Sequence, residues 1–516
     1  MRYDWATTEG VSLLNIHFLR IPENSTLNLR DQVCEIVSSA IARGLFSKKE
    51  PLPSCRALSE QLGVSRNTVY NAYCRLIDIG LVQAQYRKGY FVDAAMADRE
   101  RALYLSQHKT MDLPSPLEGL IADARRPSAM RKVSHPADWF NYPYPFVYNQ
   151  VDPKWFPIQE WRESMRVAMA SSTLENWSRD AGEADSPHLV SQLRQRLLGY
   201  RGICPREDEI LITSGAQNAI SILATLSAAM GRDVAIEDPC YPEARNAFKA
   251  ARNVLHDVRV DQAGLVVDEI PAGVGMVYTT PSHQFPTTVT MSVERRIALY
   301  ERARRDDFII CEDDYEAEMN FLESRGRPIR SLDTSGRTVY IGSLSKSVAP
   351  GLRIGYMVAH PDVIREAKAI RRSNIRNPPI LLQDAMAHFI ASGALDALLR
   401  RTERRYKARW ELMIDALTTH LPDFDVQFSK GGTCIWLTSP EGVDTTELAR
   451  YLKPHGVLLD EGSVFYANPD HGRRKLRIGF AAVPKAAITD GIKIIAQVAA
   501  QVQRNAPTYM RPFGTG

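Results

Sequence analysis

The sequence predicts two folds on one chain: a short N-terminal α+β module of helices and a hairpin, then a long α/β body. That body is expected to hold a mostly parallel sheet with flanking helices and a smaller α+β part at its end. Three observations predict this. From about residue 140, apolar runs alternate with helical patterns, the succession that places helices on both faces of a parallel sheet. Ahead of them, residues 29 to 79 carry apolar residues at three-and-four spacing, the stripe of amphipathic helices. Between the two, residues 94 to about 135 lack sustained periodicity and gather Pro114, Pro116, Pro127 and Pro136, which reads as an interdomain linker. The expected division is an extension over 1–28, a module over 29–93, a linker over 94–139, a body over 140–505 whose smaller part starts near residue 400, and a tail over 506–516.

In the N-terminal module, Leu29, Val33, Ile36, Val37, Ala40 and Ile41 form the first stripe, which Gly44 stops. Ser54 can cap a second helix from Arg56 to Leu62, broken by Gly63, and Ser65 can cap a third with Val69, Ala72, Tyr73 and Leu76 on one face. Gly80 to Ala84 and Gly89 to Val92 alternate around Gln85 to Lys88, as two strands with a basic tip do. In the body, strands are expected at 209–213, 234–236, 275–278, 308–311 and 339–341, followed by a long helical stretch over about 379–419. Further strands are expected at 434–437 and 476–480. No internal repeat is visible.

The 516 residues exceed one ordinary domain, since length over roughly 150 gives about three. With 64 Lys+Arg against 60 Asp+Glu the net charge is +4, and 44% hydrophobic and 24% charged residues exclude disordered, collagenous and coiled-coil classes. Leu29 to Val92 holds nine basic residues (30, 43, 48, 49, 56, 66, 75, 87, 88) against five acidic ones (31, 35, 50, 60, 78), so this segment alone carries the chain's net +4. A basic module on a neutral body points to a polyanionic partner for the module. The seven cysteines stand singly, which suggests neither a disulfide framework nor a zinc site. No apolar run approaches the ~20 residues of a spanning helix, and Met1-Arg2-Tyr3-Asp4-Trp5 lacks the layout of a signal peptide. A soluble cytoplasmic protein with no membrane segment is expected.

A helix pair joined by a glycine turn, with polar and basic residues opening the second helix, is the helix-turn-helix layout for the major groove. Ser65, Arg66, Asn67 and Thr68 sit at that opening. Arg66 can meet a guanine edge and Asn67 an adenine edge, and the tip Arg87-Lys88-Gly89 can reach the minor groove. The run from Leu52-Pro53-Ser54-Cys55-Arg56 through Leu62-Gly63-Val64-Ser65-Arg66-Asn67-Thr68-Val69 to Gly89-Tyr90-Phe91-Val92 resembles the GntR-type winged helix-turn-helix. The resemblance implies that Arg56, Ser65, Arg66, Asn67, Thr68, Lys88 and Gly89 contact double-stranded DNA. Cys55 departs from the serine frequent in the family.

In the body, Ser343-Leu344-Ser345-Lys346 follows a strand, and Arg353 stands seven positions on. A lysine among small hydroxyl residues can condense with an aldehyde, and the arginine can hold the same cofactor's phosphate. Ser214-Gly215-Ala216 opens a helix after a strand, where amides bind phosphate. Asp313 and Tyr315 end another strand; a carboxylate there can keep a pyridine nitrogen protonated while the phenol bonds a ring hydroxyl. Tyr241 follows a third strand and can stack on a flat ring. All lie at carboxyl ends of strands, where open α/β sheets bind ligands.

This set resembles the fold-type I, aspartate-aminotransferase-like proteins across roughly residues 140 to 505. The resemblance implies pyridoxal 5′-phosphate, with Lys346 as Schiff-base lysine, Asp313 at the pyridinium, Tyr315 at the ring hydroxyl and Tyr241 stacking. Ser214, Gly215, Ala216, Ser343 and Arg353 would hold the phosphate, and Arg477 an amino acid's carboxylate; on spacing alone Arg477 reads as a surface arginine. No metal is implied. Where aminotransferases carry Asn-Pro-Thr-Gly, this chain has Ser282-His283-Gln284-Phe285-Pro286-Thr287-Thr288. Phe285 replaces the asparagine that tunes the ring hydroxyl, which counts against efficient transamination.

That segment, joined to a GntR-type module, resembles the MocR-type bacterial regulators over nearly the whole chain. The resemblance implies a homodimer, domain-swapped, on an operator with paired half-sites. It also implies a small amino compound sensed by aldimine exchange at Lys346 rather than turned over, and control of genes of amino-compound or cofactor metabolism. Glu243 stands where some γ-aminobutyrate sensors have arginine, which makes γ-aminobutyrate a poor candidate. The competing expectation is an active aminotransferase with an appended DNA-binding module, and a further one is a regulator without cofactor. The clusters Arg365/Lys368/Arg371/Arg372/Arg376 and Arg400/Arg401/Arg404/Arg405/Arg409 read as solvated helix faces, with flanking DNA contact as the alternative.

Overall fold

The computed structural model describes residues 19–21, 27–47, 50–86, 88–99, 127–147, 152–180, 182–316, 326–428 and 431–505. They form two compact units, 1–121 and 122–516. Most of the expected linker, Arg87 at the hairpin tip, most of the N-terminal extension and the tail at 506–516 lie outside the described residues.

The first unit opens with helix α1 (Leu29–Ala42), whose Asn28 cap accepts from the Asp31 amide. Ser54 caps α2 (Cys55–Leu62), and Gly63 ends it at φ 66°, a left-handed turn that glycine takes without strain. Ser65 caps α3 (Arg66–Asp78) by accepting from the Thr68 amide at 3.0 Å. Strands β1 (Val82–Gln85) and β2 (Gly89–Val92) pair antiparallel, Val82 opposite Val92. Val33, Val37, Leu58, Val69, Tyr73, Leu76, Leu81 and Val82 make one core. Tyr73 fixes the wing against α2: its hydroxyl donates to the Pro53 carbonyl at 2.8 Å, and its ring meets Tyr90 edge-on at 4.8 Å. Past β2 the chain is helical again over 94–99, where a linker was expected.

The second unit is built on an eight-stranded sheet and a five-stranded sheet. The large sheet contains β4 (Ile210–Thr213), β5 (Val234–Asp238), β6 (Leu255–Asp261), β7 (Gly264–Leu265), β8 (Met276–Thr279), β9 (Ile309–Asp314), β10 (Thr338–Ser343) and β11 (Gly355–Val358), in the order β4-β11-β10-β9-β8-β5-β6-β7. The five strands expected in this sheet are present, and three were missed: β6, the two-residue β7 and β11. β11, a four-residue strand hidden in the segment after Lys346, runs antiparallel between β4 and β10; β6 pairs parallel with β5 at the other side. Helices cover both faces, and the buried strand residues divide between separate cores on the two sides.

The small sheet has the order β12-β13-β15-β14-β3, from β12 (Asp425–Gln427), β13 (Cys434–Thr438), β14 (Val457–Glu461), β15 (Lys475–Gly479) and β3 (Tyr144–Phe146). The strand β3 is distant in sequence from the smaller part placed near residue 400. It joins there because it pairs parallel with β14, burying Phe146 in the small core. The long helical stretch is two helices, Ile380–Ala391 and Ala394–His420, separated at Gly393 with φ 79°. The second one starts in the large core at Leu395 and Leu398 and ends in the small core at Met413 and Leu417. No helix among the described residues is long and apolar enough to cross a membrane.

Neither basic cluster is a uniform solvated face. Arg371 is fully buried, donating to Asp185 and to the Ile212 and Glu183 carbonyls, and Arg409 is buried against the Ala481 carbonyl and the Trp155 ring. A guanidinium desolvated this far needs several acceptors, and the fold supplies them. Arg365, Arg372 and Arg376 are exposed but ion-paired with Asp362, Glu183 and Asp180.

Candidate functional site

Register sets the site. Thr213 of β4, Gly355 of β11 and Ser343 of β10 lie side by side across three strands, so the turn after β4 and the segment after β10 leave the sheet together. The turn Ser214-Gly215 leads into the helix Ala216–Met230. Gly215 is at φ 79°, and a Cβ there would lie 3.2 Å from Arg353 Cζ. Gly355 has no room for a side chain either, since its Cβ would stand 2.8 Å from the Gly215 carbonyl carbon. Arg353 Nη2 donates to the Ser214 carbonyl at 3.3 Å. Ser214, Gly215, Ala216, Ser343 and Arg353 thus meet at one helix N-terminus, an arrangement of amides, hydroxyls and a guanidinium suited to a phosphate.

Next to it, Asp313 is 3% exposed on β9. Its Oδ2 accepts from the Tyr278 hydroxyl at 2.7 Å, and its Oδ1 is buried with no hydrogen-bond partner. Burial pushes its carboxyl up to about 6, against the Tyr278 hydrogen bond and the Lys346 charge. Lys346, three residues past Ser343, is half-buried, and desolvation holds its ammonium below the usual lysine range, opposed by the Glu316 carboxylate. A desolvated lysine of lowered proton affinity has its nucleophilic form closer at hand.

Phe285 is the hub of the remaining wall. Its ring meets Tyr241 at 5.2 Å, Tyr315 at 5.8 Å and Phe465 at 5.6 Å, each edge-on, and Arg477 Cζ sits 4.8 Å from its centroid. Burial pushes both phenols up. Arg477 is 4% exposed, so its spacing-based reading as a surface residue fails. On β15 its neighbours Leu476 and Ile478 fill the small core, and strand alternation turns Arg477 to the opposite face. There Nη1 donates to Asp460 Oδ2 at 2.6 Å while the buried Nε finds no acceptor.

Several site-building residues carried no readable role in the sequence. Glu237, fully buried at the end of β5, accepts from Thr279 Oγ1 (2.6 Å), Thr280 Oγ1 (2.7 Å), the Thr280 amide and Gln284 Nε2 (3.1 Å). Gln284 also donates to the Pro239 carbonyl at 2.7 Å, two residues before Tyr241. This network explains the Ser-His-Gln-Phe segment: Gln284 ties the Phe285 turn to the Tyr241 turn. Tyr278 and Asp460 are likewise polar residues inside strands, whose partners depend on register. His283 is buried beside Gly432, where a Cβ would also meet Glu316, and burial lowers its proton affinity.

In the first unit, burial of Val69, Ala72, Tyr73 and Leu76 leaves Arg66, Asn67, Tyr70 and Asn71 exposed on α3, with Ser65 exposed and Thr68 half-exposed at its start. Arg56 is exposed and ion-paired with Glu60 at 3.0 Å, and Lys88 and Gly89 are exposed on the wing. These residues lie on the unit's exposed surface.

Residues 29–92 match the bacterial regulatory proteins of the gntR family, and residues 152–495 match aminotransferase class I and II. The chain is 37% identical over 475 residues to the HTH-type transcriptional regulator TauR of Rhodobacter capsulatus, covering 91% of this chain and 96% of the relative. The chain belongs to the MocR-type GntR regulators. It is also 27% identical to the probable rhizopine catabolism regulatory protein MocR of Rhizobium meliloti, over 92% of this chain and 94% of that one. Among solved structures it is similar to Pyrococcus horikoshii kynurenine aminotransferase, at TM-score 0.64 and 26% identity, covering 79% of this chain and 99% of that one. A MocR-type chain joins a GntR helix-turn-helix to an aminotransferase fold, and pyridoxal 5′-phosphate is the cofactor of that fold. The orphaned Asp313 Oδ1, the half-buried Lys346 and the Gly215–Arg353 cradle form a donor and acceptor set that fits this group.

Proposed function

We propose that this MocR-type regulator reads a small amino compound carrying an acid group, and that binding changes how its helix-turn-helix units hold DNA. In this reading Lys346 would be the covalent attachment point, and Asp313, with its unpartnered Oδ1, would hold the pyridine nitrogen. Tyr315 would hold the ring hydroxyl, Tyr241 would stack on the ring, and Ser214, Gly215, Ala216, Ser343 and Arg353 would hold the phosphate. When bound, the cofactor supplies an aldehyde that condenses with amines and a ring that withdraws electrons. Arg477, whose Nε is left without an acceptor, would hold the effector's acid group, and Lys346 would yield its place to the effector's amine.

The observation that carries the reading is the position of Phe285. A ring with no donor or acceptor stands among Tyr241, Tyr315 and Arg477. It shapes a binding pocket but contributes no hydrogen bond to tune the chemistry, which favours recognition over turnover. In the DNA-binding unit, Arg66 and Asn67 at the opening of α3 read base edges, while Arg56, Ser65, Thr68, Lys88 and Gly89 hold the backbone. Fold-type I sites are built at subunit interfaces, so the reading includes a cytoplasmic homodimer, domain-swapped, on paired half-sites, controlling genes of amino-compound or cofactor metabolism.

The test is the visible spectrum of the purified protein with and without borohydride, titrated with amino acids, aminosulfonates and plain amines, beside Lys346→Ala. A borohydride-sensitive yellow band missing from Lys346→Ala, shifted by an acid-bearing amine that also alters operator binding, supports the reading. A colourless protein that cannot be reconstituted overturns it. Steady keto-acid production over many turnovers favours the aminotransferase alternative.

A further inference from the structure

Arg477 does not stand alone on the small sheet. Asp460 on β14 is its register partner on β15, and the pair is closed by the 2.6 Å bond from Nη1 to Oδ2. The other oxygen of the same carboxylate, Oδ1, lies 3.1 Å from Nε2 of His135. All three side chains are almost completely buried, at 5%, 2% and 5% exposure for His135, Asp460 and Arg477. His135 belongs to neither sheet; it is in the stretch of chain that leads from the DNA-binding unit into the body. That stretch is fastened at a second point, where Arg131 donates to the Ala467 and Ser463 carbonyls at 2.6 and 3.3 Å. Ala467 is in turn tied by its amide to Asp238, three residues from Tyr241.

We infer that Asp460 is a positioning residue that joins acid-group recognition at Arg477 to the chain segment 131–136, by sharing one carboxylate between Arg477 and His135. The inference rests on the reading of Arg477 as the grip for the effector's acid. A carboxylate with one oxygen toward the Arg477 guanidinium and the other toward the His135 ring divides its attraction between them. An anion arriving at the Nε edge of Arg477 neutralises that guanidinium, so Asp460 is drawn less to Arg477 and more to His135. With the three side chains this buried, water screens the redistribution only weakly. The segment is therefore held more firmly when an acid-bearing effector is bound, whereas a plain amine, which leaves Arg477 alone, does not change it. Lys132, Arg450, Lys453 and Glu461 line the same cavity as His135 and set the standing charge around the pair; they are common to both states.

The experiment is hydrogen exchange of peptides covering 127–136 in the full-length cofactor-loaded protein, in the wild type and in His135→Ala and Asp460→Asn. The visible band serves as an independent report of cofactor and amine binding, and the probes are β-alanine and propylamine. Without any amine, exchange over 127–136 is expected to be roughly tenfold faster in both variants, the size of losing one buried charged contact. His135→Ala is expected to keep the wild-type band. With β-alanine the wild-type segment slows and the His135→Ala segment does not respond, although both bands shift alike; propylamine shifts the band and leaves the segment unchanged. Unaltered exchange in both variants overturns the link, as does a segment that responds equally to β-alanine and propylamine or keeps its response in His135→Ala. If β-alanine leaves the wild-type band unmoved while the amine-free variants still exchange faster, the tie from His135 to Asp460 stands, and the effector reading of Arg477 is what fails.

Discussion

Tyr278 holds one oxygen of Asp313 at 2.7 Å and leaves the other buried and unbonded. A carboxylate half-satisfied in a dry strand end is poised to accept one more donor, and the same desolvation that raises its proton affinity makes that donor valuable. Replacing Asp313 by Asn removes the charge that would face a protonated ring nitrogen. We expect cofactor affinity to fall by about two orders of magnitude, roughly 3 kcal/mol for a lost buried charged hydrogen bond, measured by titrating apoprotein with pyridoxal 5′-phosphate.

The same group gives the apoprotein a pH dependence. The Asp313 carboxyl is raised from an ordinary 3.8 to about 6, so the folded state binds its proton more tightly than the unfolded one. Its contribution to stability is fully present below pH ~4 and is lost as pH rises through 6, about 3 kcal/mol between the limits. Urea midpoints of apoprotein at pH 5 and pH 7.5 should converge in Asp313→Asn relative to the wild type. An unchanged difference between the two would remove Asp313 as its source.

Gln284 bridges Glu237 and the Pro239 carbonyl and accepts from Thr287. Gln284→Ala leaves these buried groups with missing partners, a loss of roughly 2–3 kcal/mol. The expected result is a lower urea midpoint together with a displaced visible band, because Phe285 and Tyr241 lose their common anchor. A stable variant with an unaltered band would show that the turn holds itself.

Gly355 has backbone atoms of Gly215 and Ala216 within 3.0 Å of where a Cβ would stand. Gly355→Ala forces β11 away from the turn after β4, at about 1–3 kcal/mol. Phosphate-dependent cofactor binding should weaken more than overall stability does, which a comparison of pyridoxal with pyridoxal 5′-phosphate can read.

On α3, Arg66 is exposed while Ser65 caps the helix, so the two substitutions separate. Arg66→Ala should weaken operator binding by about 1–3 kcal/mol with an unchanged melting profile. Ser65→Ala should also cost the unit about 1 kcal/mol of stability. Fluorescence anisotropy with operator DNA and thermal melts of the full chain distinguish them.

The parts of the fold and site legible in sequence were those marked by local chemistry. Gly63, Ser54 and Ser65 punctuate helices, and Ser214-Gly215 and Ser343 to Lys346 follow apolar runs, so strand ends and helix starts could be placed. Residues whose role depends on pairing could not. Tyr278, Glu237 and Asp460 are strand residues that reach their partners only once register is fixed. The strand at Gly355–Val358 is four residues long and lies inside a motif noticed for its lysine. Arg371, Arg409 and Arg477 looked like surface charges because nothing local reveals that a helix or strand turns them inward.

The strand Tyr144–Phe146 is the first strand of the body along the chain, and it pairs with Val457–Leu459 in the small sheet, while the large sheet's first strand begins only at Ile210. The polypeptide arriving from the DNA-binding unit is therefore moored to the smaller of the two sheets. Any displacement of that sheet therefore displaces residues 144–146 with it, before the chain reaches the larger sheet.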